Sequence, residues 1–226
     1  LGHTLRDHIL GFFRIWRMPV SATQGILGYF YPAVPVYSEE FSARHIPFEY
    51  QRYCQPFIND QILWDNFGEE RDRIADRFMN NHFNGRYSFK DEFKTQRKLT
   101  DYFADNPHDW AEEKLINLCA NVLFLEEERD GITVFHPRFN LHKTDSYKYL
   151  SDWEMQSVYE LYVDYFYQRQ DGLWRESAME KLPAILNATD MLICGEDLGL
   201  VPACVPSVMD ELAITALKVQ RMPPGD

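Results

Sequence analysis

A chain of 226 residues with a net charge of −12 can hold one large domain or two small ones. That charge argues against a nucleic-acid partner, because phosphate binding draws on clustered Lys and Arg. Apolar residues make up 45% of the chain, enough for a sizeable core, yet no apolar run approaches the roughly 18 residues of a membrane span. Four cysteines (Cys54, Cys119, Cys194 and Cys204) show no CxxC pairing or metal-ligand spacing and read as reduced thiols of a cytoplasmic protein. No signal-peptide pattern opens the chain; it starts at Leu1 and stops just past an apolar run, so it reads as part of a longer protein.

From the start, a short strand is predicted to end near Asp7, and Gly11 permits a tight turn before Phe12, Phe13 and Trp16. Asp7 and His8 beside those rings describe a polar floor with aromatic walls, the mixture that a sugar site uses. An ordinary loop beside core aromatics has the same composition. Pro19, Pro32, Pro35 and Pro47 then mark a long connection, of the kind that is usually functional or inserted. Asn59 to about Asn80 has helical spacing, with Ile62, Leu63, Phe67, Ile74 and Phe78 on one side. Ser88-Phe89-Lys90-Asp91 resembles a capping box that opens a helix carrying Phe93 and Leu99.

Asn106-Pro107 starts another predicted helix, which runs to about Glu128 through Trp110, Leu115, Leu118, Val122 and Leu125. Its charge run Glu126-Glu127-Glu128-Arg129 reads as a solvated helix end, and Gly131 and a strand over residues 132–135 follow. His45, His136 and His142 have no paired metal spacing and are expected in ordinary polar roles. This middle region lacks regular strand–helix alternation, so residues 37–145 read as a mostly helical inserted subdomain between segments 1–36 and 146–226.

Ser151-Asp152-Trp153-Glu154 is a further capping box, opening a helix whose Tyr159, Tyr162 and Phe166 form a core stripe. Another helix is expected from about Trp174 to Leu186, shortened or kinked at Pro183. Met191-Leu192-Ile193-Cys194 reads as a strand buried on both faces, followed by a loop with Gly199 and Pro202, a helix over 205–212 and a strand over 215–219. That rhythm belongs to parallel βαβ units. Glu196 and Asp197 fall where the first of these strands meets its loop, which in a parallel barrel is where catalytic groups sit. Side chains alternate along a strand, so one carboxylate faces the mouth and the other bonds into the wall; Glu196 is assigned to the mouth. A structural pair held by backbone N–H groups is the alternative.

Three stretches taken together carry a resemblance. Asp7-His8-Ile9-Leu10-Gly11-Phe12-Phe13-Arg14-Ile15-Trp16, Gly195-Glu196-Asp197-Leu198-Gly199 and Leu217-Lys218-Val219-Gln220-Arg221-Met222-Pro223 resemble the amylomaltase (4-α-glucanotransferase) family. The similarity is greatest to its long-insert branch of plant cytosolic disproportionating enzymes. The resemblance implies an α/β fold, part of a (β/α)8 TIM-type barrel with a mostly helical insertion between two barrel strands. It implies Asp7 as nucleophile and Glu196 as general acid/base of a retaining double displacement that moves α-1,4-glucosyl units between maltooligosaccharides or glucans. His8, Phe13, Trp16 and Asp197 are assigned to substrate binding; Phe13 and Trp16 either stack on sugar or pack beneath it. No metal or organic cofactor is required, since the two carboxylates supply the chemistry.

The pattern departs from the family at two points. Leu5 stands where the family has an Arg two residues before the nucleophile, and Arg6 occupies the neighbouring position. The family's third carboxylate, in a later His-Asp motif, would fall beyond Asp226, and the 226 residues taken alone are expected to be inactive. A hydrolase using the same two acids with water as acceptor, and a non-catalytic glucan-binding fragment, are the other readings.

Overall fold

The computed structural model describes residues 3–6 (backbone only), 8–82, 84–106 and 110–217. The chain opens with β1 (His3–Arg6), a 3₁₀ turn over Ile9–Phe12, β2 (Ile15–Arg17) and β3 (Tyr29–Tyr31). Two short helices follow, α1 (Ser38–Ala43) and α2 (Tyr50–Tyr53), and β4 (Ile58–Asn59) leads into α3 (Asp60–Phe67). Asn59 starts α3 because its side-chain oxygen accepts the Ile62 N–H at 2.8 Å, satisfying a donor that the first helical turn leaves without a partner. Gly68, at φ 55°, ends it. The helix predicted from Asn59 to Asn80 is therefore broken in two. Its second half, α4 (Arg71–Phe78), gives way to β5 (Met79–His82). The apolar face was read correctly, since Ile62, Leu63, Phe67, Ile74 and Phe78 are all buried.

Two other predicted elements are corrected. Ser88 and Phe89 lie in β6 (Arg86–Phe89), so no capping box forms there; α5 (Gln96–Asp105) starts after Thr95, whose hydroxyl accepts the Lys98 N–H at 3.3 Å. The next helix, α6 (Glu112–Cys119), stops short of Glu128. Residues beyond it form β7 (Phe124–Arg129), which pairs antiparallel with β8 (Ile132–Pro137). Asp130 and Gly131 both take positive φ, the two-residue hairpin turn that suits strand twist. The acidic run therefore alternates along a strand. Glu126 and Glu128 face solvent, while Glu127 turns inward to accept hydrogen bonds from His136 Nε2 at 2.9 Å and Arg129 at 2.6 Å.

The remainder follows the predicted order: α7 (Asp145–Lys148), α8 (Asp152–Tyr167), α9 (Asp171–Leu186), β9 (Leu192–Gly195), α10 (Cys204–Glu211) and β10 (Thr215–Ala216). At the start of α8 the Glu154 carboxylate accepts from the Ser151 N–H at 2.9 Å and its hydroxyl at 2.5 Å. Of the aromatic stripe, Tyr162 and Phe166 are buried, while Tyr159 is exposed. Pro183 lies inside α9. Only one face of β9 is sealed: Ile193 is buried, Leu192 is exposed and Cys194 is half-buried, which corrects the expectation of two buried faces.

The fold is mixed α/β and divides into two compact units. One comprises Leu1–Trp16, Phe30–Val34 and Val163–Asp226; the other comprises Arg17–Tyr29 and Pro35–Tyr162. In the first, β1, β9 and β10 form a parallel sheet in the order β1-β9-β10, and no closed barrel is formed among the described residues. In the second, two antiparallel sheets (β4-β6-β5 and β7-β8) accompany the helices, and Ile58, Leu63, Phe78, Leu99, Phe103 and Leu115 lie in one apolar core. Among the described residues no helix is long and apolar enough to cross a membrane.

Candidate active site

The parallel sheet brings three strand ends level. Arg6 of β1 pairs with Gly195 of β9, Ala216 of β10 pairs with the same residue, and the Leu217 N–H donates to the Gly195 carbonyl at 3.0 Å. Gly195 is required by close packing. A Cβ there would lie 2.5 Å from Ile9 Cδ1 and 3.2 Å from Ile9 Cβ and Cγ2, and Ile9 is fully buried. With no side chain in the way, Ile9 closes over the strand end and its N–H donates to the Glu196 carbonyl at 2.9 Å.

Two loops converge on the Glu196 carboxylate. The His8 N–H donates to Oε2 at 3.0 Å, an orientation that goes with the left-handed backbone of His8 at φ 54°. From the other side, the Leu198 N–H donates to Oε1 at 3.1 Å. The His8 ring nitrogen Nδ1 stands 3.9 Å from Oε2. Glu196 thus has the backbone donors expected of a structural carboxylate, yet its side chain remains 17% exposed. A carboxyl group fixed in orientation and open at one edge can exchange a proton with a bound molecule. Asp197 is half-buried beside it.

The other site residues divide. Trp16 is 36% exposed and meets Phe30 edge-on, with ring centroids 4.6 Å apart. Phe13 is fully buried in the core, the packing arrangement of the two that its sequence position allowed. Asp7 lies outside the described residues, as do the side chains of Leu5 and Arg6 and residues 218–223 of the third motif.

Arg14 was passed over in the sequence. It is 6% exposed, with its guanidinium carbon 3.7 Å from the centre of the Phe30 ring and 5.1 Å from that of Trp174, and its Nη2 donates to the Leu200 carbonyl. Burial pushes its pKa down to about 10, which still leaves it a cation at neutral pH. The available signal was its position, a single charge between the apolar pairs Phe12-Phe13 and Ile15-Trp16. The segment is held from behind by α9. There the Trp174 indole N–H donates to the Pro32 carbonyl at 2.8 Å and the Ser177 hydroxyl to the Phe12 carbonyl at 3.2 Å. Asp171, at the start of the same helix, accepts the Cys204 N–H at 3.2 Å where α10 begins.

Fold and site together define a mixed α/β protein with a backbone-held carboxylate at the C-terminal edge of its parallel sheet, the edge on which parallel barrels build their active sites. The chain belongs to the 4-alpha-glucanotransferase family, whose model matches residues 3–226. It is 38% identical over 225 residues to 4-alpha-glucanotransferase DPE2 of Oryza sativa subsp. japonica, covering 96% of this chain and 24% of the rice protein. The chain therefore spans about a quarter of the length of that curated relative. No solved structure gives a significant match.

Proposed function

We propose that this chain is the part of a 4-α-glucanotransferase that carries its acid/base, Glu196, and its nucleophile, Asp7. The three parallel strands are then an arc of a (β/α)8 barrel, residues 1–36 and 146–226 are barrel segments, and residues 37–145 are an insertion. In the first half-reaction Glu196 protonates the departing glycosidic oxygen while Asp7 attacks the anomeric carbon, giving a covalent glucosyl-enzyme. In the second, Glu196 removes the proton from the acceptor's 4-hydroxyl as that oxygen displaces Asp7, and the configuration is retained. A maltooligosaccharide or glucan serves as donor and acceptor, with His8, Asp197 and Trp16 against the sugar. Free thiols at Cys54, Cys119, Cys194 and Cys204 favour a cytoplasmic location.

The observation that carries the reading is the hydrogen bond from the His8 N–H to Glu196 Oε2 at 3.0 Å. Asp7 is next to His8 in the chain, and retaining enzymes need their two carboxyl groups only about 5–5.5 Å apart. The test is Glu196→Gln in the intact protein, assayed on maltotriose. Transfer is expected to fall about 10²–10⁴-fold with binding largely kept. Unchanged turnover removes Glu196 from the mechanism. Labelled glucose supplied as acceptor enters longer products if the enzyme transfers, and stays free if it hydrolyses.

A further inference from the structure

We propose that Arg14 is a positioning residue for Glu196, clamping the loop after β9 so that the carboxyl group meets the departing sugar oxygen. The inference rests on the reading of Glu196 as the acid/base. Residues 196–203 have no regular secondary structure, and Gly199 takes φ 103°. Apolar burial anchors this loop only at its far end, where Pro202 is buried; Leu198, Val201 and, at 50%, Leu200 are all exposed. Among the described residues, the one hydrogen bond reaching residues 197–201 from another segment is that from Arg14 Nη2 to the Leu200 carbonyl.

Arg14 also holds the other side of the carboxylate. Its backbone N–H donates to the Leu10 carbonyl at 3.0 Å, tying the residue to the turn that follows His8, whose N–H goes to Glu196 Oε2. The second donor, the Leu198 N–H, comes from the loop gripped through Leu200. The guanidinium thus acts on the Leu198 side of the carboxylate, while the main chain of the same residue is tied into the turn on the His8 side.

Its electrostatic setting is an expensive way to fill space. The guanidinium is desolvated, has Phe30 beneath its face, and leaves its buried Nε without an acceptor among the described residues. A methionine would fill the position without burying a charge. What methionine could not do is grip a carbonyl.

The experiment compares two donors in the intact protein. Maltotriose needs a proton on its leaving oxygen, whereas α-glucosyl fluoride loses fluoride without a general acid. In Arg14→Met, kcat/KM for maltotriose is expected to fall about 10- to 100-fold more than kcat/KM for the fluoride, the loss typical of a misplaced reacting group. Thermal stability is expected to be unchanged or higher. Gly199→Ala, which strains the same loop without touching the core, is expected to show the same asymmetry. It decides the matter if Arg14→Met fails to fold. Arg14→Lys, which keeps a donor, recovers part of the loss. Glu196→Gln sets the scale: if it shows no asymmetry between donors, the acid/base reading itself fails. If it does, and Gly199→Ala and any folded Arg14→Met slow both donors equally or neither, Arg14 contributes packing alone and the proposal is overturned.

Discussion

Gly195→Ala is the most direct probe of how the strand end is built. In an ordinary strand this change would stabilise by about 0.4–1 kcal/mol by restricting the unfolded chain. Here the new methyl group would sit 2.5 Å from Ile9 Cδ1 and 3.2 Å from two further Ile9 carbons, inside contact distance for all three. Ile9 is fully buried and cannot swing into solvent, so it must move with its backbone, loosening the bond from its N–H to the Glu196 carbonyl. Overpacking of this kind costs about 1–3 kcal/mol, and the weakened hydrogen bond adds about 1 kcal/mol. The net expectation is a loss of about 1–3 kcal/mol, which for a domain of this size lowers the thermal midpoint by roughly 2–12 °C. Ile9→Val removes Cδ1, the nearest atom, at a cost of about 0.5–1.5 kcal/mol by itself. The double variant should therefore be more stable than the two single losses added together, by about 1 kcal/mol. Differential scanning fluorimetry on the four proteins of the cycle reads this directly. A Gly195→Ala protein at least as stable as the parent, or strict additivity with Ile9→Val, refutes the packing argument.

Other outcomes follow from single sites. Asn59→Ala removes the α3 cap and should cost about 1 kcal/mol, read as a lower thermal midpoint, with little further change if Ile62 is varied conservatively. Phe13→Ala opens a hole in a closed core and should cost about 3–5 kcal/mol, while Trp16→Ala should leave stability nearly intact and raise KM for maltotriose if the ring meets sugar. Burial pushes the His136 ring down to about 4, against the hydrogen bond to Glu127 that would raise it. The unfolded chain takes up this proton near pH 6.5 and the folded protein refuses it until about pH 4. Stability should thus fall as pH drops through that window, by up to about 1.4 kcal/mol per pH unit. Burial alone would raise Glu127, but hydrogen bonds from His136 and Arg129 bring it below the ordinary carboxylate range, so its stabilisation too is lost as pH falls. His136→Gln, which keeps an N–H for Glu127, should flatten the histidine part of that slope in thermal midpoints measured from pH 7.5 to 4.

How much of this was legible depends on what kind of signal each residue sends. Glu196 stood out because a charge directly after an apolar strand is conspicuous, and the adjacency of β1 and β9 could be argued from the strand ends on either side of a long interruption. The hairpin of β7 and β8 was missed because Glu126-Glu127-Glu128-Arg129 is polar at every position, so neither period two nor period 3.6 is visible. The inward turn of Glu127 exists only because His136, on the neighbouring strand, supplies a partner. Ser88-Phe89-Lys90-Asp91 misled for a related reason: a Ser three residues before an Asp has the spacing of a cap whether or not a helix follows, and pairing of β6 with both β4 and β5 made Ser88 and Phe89 part of a central strand. Phe13 and Trp16 are adjacent aromatics to a sequence reader, and only the turn over Ile9–Phe12 sends one inside and leaves the other at the surface.

The pairing of β1 with β9 joins residues 189 positions apart. On a ribosome adding about 5–20 residues per second, roughly 10–40 s separate the emergence of the two strands. All of Pro35–Tyr162 is translated in that interval. A nascent chain stalled before residue 192 would hold every residue of the second unit and no carboxylate for the His8 N–H to grasp. The end of the sheet that carries Glu196 is thus among the last features this stretch of polypeptide can assemble.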